Sequence, residues 1–357
     1  MGRKEYSTQW GKVFRSISPA YIKKGYRYLK RHGMKQFLIR LTERFQQEDI
    51  DYETWFGLNR ASEKELEEQR KRVWEQTPKI SIVVPVYRTP KVFLREMIDS
   101  VQKQTYTEWE LCIADASPTG EKLREELGKL RGKKKKESIM AVPEKETELT
   151  ALIREYQIRD GRIRYQILKE NRSIAENSNA ALEMATGDFV CLLDHDDLLE
   201  PDALYEVADK IVQDDRVDVI YTDEDKINSK GTKHLTPNMK PDFNLDLLRS
   251  NNYICHLFVV RRILVEKVGG FRKEFDGAQD YDLILRGVER FLDREEEIVH
   301  VPKVLCHWRC HTASTAENPQ SKTYAYEAGR RAVQDFADRN GWGAEAVHMK
   351  HLGFYRL

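Results

Sequence analysis

The rhythm of apolar and polar residues changes sharply near position 79. Before it, Trp10, Phe14, Tyr21, Ile22, Tyr26, Leu29, Met34, Phe37, Leu38 and Leu41 recur largely every three or four residues. That spacing predicts amphipathic helix through the first 44 positions. Residues 45–78 read as a polar helical connector, mostly charged between Glu63 and Arg72. After it, Ile80–Val86 is a β-branched run and predicts a buried strand. Pro90 opens a helix with Leu94, Met97, Ile98 and Val101 on one face. Glu110–Ala114 predicts a second buried strand, followed by helix over 119–131 and a lysine-rich surface insertion from Lys133 to Glu148. Helix Leu149–Arg159, strand Ile163–Leu168, helix Ile174–Ala185, strand Asp188–Leu193, helix Pro201–Gln213 and strand Val217–Thr222 follow. An amphipathic helix is expected over Ser321–Arg339. Such alternation implies an α/β fold, a parallel sheet with helices on both faces.

Ligands of these sheets sit outside the carboxyl ends of the strands. That rule selects the loops Pro85–Arg88, Asp115–Ser117 and Asp194–Asp197. The last holds Asp194, His195, Asp196 and Asp197 directly after an apolar strand. In extended backbone, residues i and i+2 point the same way, so Asp194 and Asp196 would converge on one hard divalent ion, Mg²⁺ or Mn²⁺. For Asp197 alone, capping a following helix would be a sufficient role. No GxGxxG follows the first strand, and neither GxxxxGK[ST] nor GxSxG occurs. A dinucleotide dehydrogenase, a P-loop NTPase and an α/β-hydrolase therefore lack support.

Charge adds one feature. The chain of 357 residues has a net charge of +1, but residues 1–44 carry twelve Lys/Arg against two acids. That segment is +10 and the rest is −9. A cationic amphipathic helix suits an anionic membrane surface, or a solvated hairpin on the main domain. The acidic remainder argues against nucleic acid. No apolar run reaches a membrane span and the first residues lack a secretory h-region, so a cytoplasmic place is expected, peripheral on the inner membrane face if the basic segment binds lipid. Five cysteines in this length suit a reducing compartment.

The segments ISIVVPVYRTP, SVQKQTYTEWELCIADAS, ATGDFVCLLDHDD, GGFRKEFDGAQDYDLILR and VLCHWRCH, in this order from about residue 78 to 315, resemble family 2 glycosyltransferases of the bacterial surface-polysaccharide type. The resemblance implies a GT-A-like (Rossmann-like) mixed sheet flanked by helices, with a helical N-terminal extension over 1–78. The catalytic domain would span 79–317, with a nucleotide-sugar half to 225 and an acceptor half from 226, and 318–357 would form a C-terminal helix and tail. It implies an inverting, Mn²⁺- or Mg²⁺-dependent transfer from a UDP- or dTDP-sugar to a saccharide or polyprenyl-linked acceptor. A carbohydrate-binding subunit and a sugar nucleotidyltransferase are the alternatives.

It also assigns residues. Asp280 would be the catalytic base, and Asp194, Asp196 and His307 the metal ligands. Pro85, Val86, Tyr87, Arg88, Asp115, Asn179, Asp194, His195, Arg309 and His311 would contact the donor. In a strand, His307, Arg309 and His311 share a face that could serve metal and pyrophosphate. Asp223, Gln279, Asp282 and Trp308 fall to the acceptor side. Asp223–Lys226 reads equally well as a solvated charge run. Lys240–Asn244 with Asn251, Asn252 and Tyr253 mixes polar and aromatic groups, as sugar sites do. The family commonly has Asp-Asp-Gly-Ser where this chain reads Ala114-Asp115-Ala116-Ser117, and Asn where it has Arg88.

Overall fold

The computed structural model describes Lys30, Gly33, Met34 and residues 51–117, 148–291, 297–311 and 323–357. The basic stretch of residues 1–44, apart from Lys30, Gly33 and Met34, and the expected helix and lysine-rich insertion between 119 and 147 lie outside the described residues. The chain forms two compact units, residues 1–55 and 56–357.

Helices α1 (Tyr52–Asn59) and α2 (Glu63–Lys71) precede the sheet. Ser62 and Glu65 form a reciprocal capping box that fixes the start of α2. The expected alternation then appears: β1 (Ile80–Val86), α3 (Lys91–Gln102), β2 (Trp109–Asp115), α4 (Glu148–Arg159), β3 (Ile163–Ile167), α5 (Ile174–Leu182) and β4 (Phe189–Leu192). The short β5 (Leu198–Leu199) and α6 (Ala203–Gln213) lead to β6 (Val219–Ile227) and β7 (His234–Asn238). Then come α7 (Leu245–Ser250), β8 (Phe258–Arg261), α8 (Arg262–Val268), α9 (Gln279–Val288), β9 (Ile298–Arg309), α10 (Thr323–Arg339) and a terminal pair, β10 (Val347–His348) and β11 (Tyr355–Arg356).

The sheet order is β3-β2-β1-β4-β8-β6-β9-β5, with β7 also on β6. Strands β3, β2, β1 and β4 are parallel. Beyond them β8 runs antiparallel to both β4 and β6, while β9 runs parallel to β6. The parallel arrangement implied by the alternation holds for β3, β2, β1 and β4, and the sheet as a whole is the mixed one that the resemblance implies. The fold is GT-A-like, a mixed α/β sheet flanked by helices. β8 stands between β4 and β6 and pairs antiparallel with both, so that β4 and β6 run in the same direction without pairing with each other.

Side chains alternate across this sheet, and both faces are covered. Ile80, Ile82 and Val84 enter one core with Leu94, Met97, Ile98 and Val101 of α3. Val83, Val190, Val219 and Tyr221 enter a second with α5, α9 and α10. Complete burial of each aliphatic side chain contributes roughly 1.5–3 kcal/mol relative to leaving it exposed.

Glu110 is a charge inside β2, only 3% exposed. Its carboxylate accepts from Lys79 Nζ, Ser81 Oγ and the amide and hydroxyl of Thr186. Burial alone would raise its pKa, but these donors prevail and hold it down at about 2. It joins β1 and β2 to the turn before β4. Its stabilisation is complete above the unfolded carboxylate range and lost as pH falls through the folded value. Glu110→Gln should cost about 2 kcal/mol at pH 7, and the gap from the parent should narrow toward pH 3, as read from urea midpoints.

Candidate functional site

A cleft of about 890 Å³ opens at the carboxyl ends of β1 and β4. Its lining includes Pro85, Asp194, Glu224, Lys240, Asn252, His256, Gln279, Asp280 and Trp308, together with aromatic residues of α10 and the terminal pair. Of the sequence-expected site residues, Pro85, Asp194, Gln279, Asp280 and Trp308 meet here.

The acidic loop after β4 does not stay extended. The Asp197 amide donates to the Asp194 carbonyl at 3.3 Å, so the chain turns. The residue brought back beside Asp194 is therefore Asp197, not Asp196. Oxygens of Asp194 and Asp197 and a ring nitrogen of His256 lie within 4.8 Å of one another. His256 Nε2 stands 3.8 Å from Asp194 Oδ2 and 4.0 Å from Asp197 Oδ2. Asp197 Oδ2 is buried with no hydrogen-bond partner among the described residues. Two carboxylates and an imidazole with an orphaned oxygen between them form a donor set that fits a divalent ion such as Mn²⁺. Burial and the neighbouring Asp196 and Asp194 charges push Asp197 well above the ordinary carboxylate range, against the opposing pull of His256. On His256, burial disfavours the proton, yet Asp194, Asp197, Glu224 and Asp280 outweigh it and raise its pKa.

Asp196 faces another way. Its Oδ2 lies 2.8 Å from His311 Nε2, and its Oδ1 lies 3.5 Å from His195 Nδ1. Its backbone carbonyl accepts from Arg309 Nε at 2.7 Å, and the Arg309 amide donates to Asp197 Oδ1 at 2.9 Å. Arg309 is fully buried, paired with Glu96 at 2.7 Å and lying over the Phe93 ring. It braces the acidic loop from behind, a role different from the donor contact expected of it.

His307 is bound elsewhere. Its Nδ1 is 2.6 Å from Asp225 Oδ1 and its Nε2 is 3.0 Å from Glu200 Oε1. Asp225 also holds His234 at 2.8 Å, and Phe56 packs against both rings. Asp225, His234 and His307 are close enough to share an ion, but the carboxylate already bridges both imidazoles. Only Asp194 of the three expected ligands stands in the Asp197–His256 group.

The run after Tyr221 is not a solvated loop. Asp223, Glu224 and Asp225 lie within β6, all buried. Asp223 Oδ1 accepts from the Lys240 amide and faces His300 Nε2, so it stays outside the cleft lining. Glu224 faces the cleft and accepts from the buried Lys240 Nζ at 3.2 Å and from the His256 amide at 2.9 Å. Lys240 Nζ also reaches the carbonyls of Ile254 and His256, so this pair shapes the loop that carries His256.

Asp280 begins α9. It accepts from Asn252 Nδ2 at 3.0 Å, and burial raises its pKa, with Asp194 adding to the rise and His256 opposing it. Gln279 Oε1 accepts from the Gly277 amide, tying the turn before α9. Asp282 points away, locked to Arg272 and Arg286 in a buried cluster. Trp308 lies beside His256 and under Lys226.

Among the other expected donor contacts, Asp115 ends β2 with its oxygens on the Ser117 amide and the Tyr165 hydroxyl. Val86 is the buried last residue of β1, and Tyr87 is exposed after it. The Arg88 amide donates to Ser117 Oγ, and its guanidinium lies over the Tyr87 ring. Asn179 commits both amide atoms to the Phe271 backbone, which makes it a strut outside the cleft lining. His256, Asp197, Glu224, Lys240 and Asn252 took no role from the expected metal and base motifs, although Lys240 and Asn252 fell within the polar-aromatic segment assigned to the acceptor side.

Residues 129–269 match the family model for glycosyl transferase family 2. The chain is 42% identical over 262 residues to the protein y4gI of Sinorhizobium fredii, described as uncharacterized, covering 73% of this chain and 26% of that one. It is 32% identical to the O-antigen biosynthesis protein RfbC of Myxococcus xanthus, covering 83% and 21%. The chain thus spans about a quarter or less of the length of these curated relatives. The crystal structure of S. aureus TarS is similar at 18% identity and a TM-score of 0.49, covering 73% of this chain and 40% of that one. Among the described residues, no helix is long and apolar enough to cross a membrane.

The His307 strut carries a pH signature. Burial opposes its proton, but Asp225 and Glu200 more than compensate and raise its pKa to about 9. The unfolded value is near 6.5, so the stabilisation is complete below that and lost as pH rises through the folded value. His307→Gln should be roughly 2–3 kcal/mol less stable than the parent at pH 6, and the two should converge by pH 10 in urea titrations.

Proposed function

We propose that the protein is an inverting glycosyltransferase that moves a sugar from a nucleotide-diphosphate sugar to a saccharide acceptor in surface-polysaccharide synthesis. The observation that carries this reading is Asp280, a buried carboxylate with a raised pKa, lining the same cleft as the Asp194–Asp197–His256 group. The family 2 match and the likeness to an O-antigen biosynthesis protein support the substrate class.

The chemistry needs one base. An acceptor hydroxyl forms the new bond to the anomeric carbon as the bond to the diphosphate breaks, through an oxocarbenium-like state. Asp280 takes the hydroxyl proton. Its burial matches its proton affinity to that task, and the Asn252 amide keeps one oxygen fixed so that the other can face the acceptor. Asp194, Asp197 and His256 would hold a divalent ion, whose chemistry is to offset charge on the departing diphosphate. Lys240 and Glu224 position His256 by fixing its backbone on both sides.

Asp280→Asn should lower transfer about 10²–10⁴-fold while nucleotide affinity holds, in assays over UDP-, dTDP- and GDP-sugars with Mn²⁺. A carbohydrate-binding subunit would instead keep full function in this variant. The parent's activity should rise with pH along a limb displaced above the ordinary aspartate range, because the working form of Asp280 is the deprotonated one. Manganese binding, followed by paramagnetic resonance of free Mn²⁺, should weaken at least about tenfold in Asp197→Asn. It should weaken less in Asp196→Asn, whose carboxylate faces His311.

A further inference from the structure

Part of the cleft wall is made by the start of α10 and the terminal pair. Tyr324, at the start of α10, is 58% exposed, and Phe354, in the turn of the terminal pair, is 42% exposed. Both line the cleft, with Leu352 beside them. Large apolar groups left open inside a concave polar site call for a ligand with an apolar face.

This wall is anchored rather than loose. Tyr355 is buried, and its hydroxyl donates to the Tyr326 carbonyl at 3.0 Å. Gly329 makes room for it, since a Cβ there would lie 2.2 Å from the Tyr355 hydroxyl oxygen. The Tyr355 ring stacks on Tyr281 at 6.2 Å, and Tyr281 directly follows Asp280. From the other side, Gly277 adopts φ +93°, and a Cβ there would stand 2.7 Å from Tyr324 Cε2. The tyrosine ring therefore lies against the turn that presents Asp280. Both contacts fix the exposed rings relative to the base.

We infer that Tyr324 and Phe354 form the platform for the acceptor, one C–H face of a pyranose ring stacking on them while its hydroxyls meet Asn251, Asn252 and Gln279. The inference rests on the glycosyltransferase reading of the cleft. Pyranoses suit it because one molecule offers an apolar face and a polar rim. Tyrosine and phenylalanine supply broad rigid contact at small entropic cost. The terminal pair then becomes a specificity element, since a shift of Phe354 changes which ring face and which hydroxyl reach Asp280.

The test has two arms on the full chain. In the first, saturation-transfer NMR is run with methyl glycosides of glucose, galactose, N-acetylglucosamine and rhamnose. At least one should receive saturation from the parent protein. That signal should fall at least about fivefold in Tyr324→Ala and Phe354→Ala, and persist in Tyr324→Phe and Phe354→Tyr. Because both side chains are exposed, thermal midpoints should stay with the parent. No transfer to any glycoside, or equal transfer in the alanine variants, overturns the inference. In the second arm, calorimetry with UDP, GDP and dTDP in Mn²⁺ judges the donor reading. At least one nucleotide should bind, with affinity unchanged by Tyr324→Ala. Failure of all three nucleotides overturns the reading of the cleft, whereas a failure confined to the glycosides overturns only the wall.

Discussion

The fully buried guanidinium of Arg309 is the constraint on which the site depends. It reaches the carbonyl of Asp196 and the carboxylate of Glu96 from the last residue of β9, while its own amide holds the Asp197 carboxylate. A charge without water must be paired on every side, so the loop after β4 has little freedom in how it turns. The turn sends Asp196 outward to His311 and brings Asp197 back toward Asp194 and His256. Replacing Arg309 would leave the Asp196 carbonyl without this donor and the Glu96 carboxylate without its cation. The loop geometry is thus tied to the stability of the sheet itself.

The same logic runs through β6. Three consecutive acids lie buried in one strand, and each has its own cation or imidazole. Asp223 and Asp225 face His300, His307 and His234, whereas Glu224 turns toward the cleft with Lys240. Asp223 stays outside the cleft, whereas Glu224 and Asp225 both border it, and Glu224 is the one that pairs with Lys240 there. The insertion of β8 between β4 and β6 is what makes this possible. It places the His256 loop, just before β8, above the carboxyl end of β4.

The parts legible in the sequence were those carried by local pattern. The apolar runs at Ile80–Val86 and Asp188–Leu193 read as buried strands and the structure has strands there, and the acids after the second lie at the carboxyl end of its strand, where such sheets take ligands. Asp280 was legible through its motif and lies in the cleft, though the motif alone could not show its bond to Asn252. What escaped depended on contacts distant in sequence. For Asp223–Lys226 a solvated run reads as well as an acceptor-side one, because its partners His300, His307 and Lys240 lie 16 to 82 positions away. His256 is a solitary histidine between ordinary residues, and only the fold brings it to Asp194. The i, i+2 argument for Asp196 failed to locate it beside Asp194 because it assumed an extended backbone where Arg309 imposes a turn. Gly329 and Gly277 gave no hint that they seat Tyr355 and Tyr324.

On the proposed function, this turn aims a cation site and one buried base, Asp280, into the same cleft. A crystal structure of the intact chain with Mn²⁺ and a bound nucleoside diphosphate tests it most directly. The ion should sit on Asp194, Asp197 and His256, with the diphosphate between it and the side of the cleft that holds Asp280. An ion held by Asp196 and His307, or a nucleotide seated away from Asp280, would contradict it.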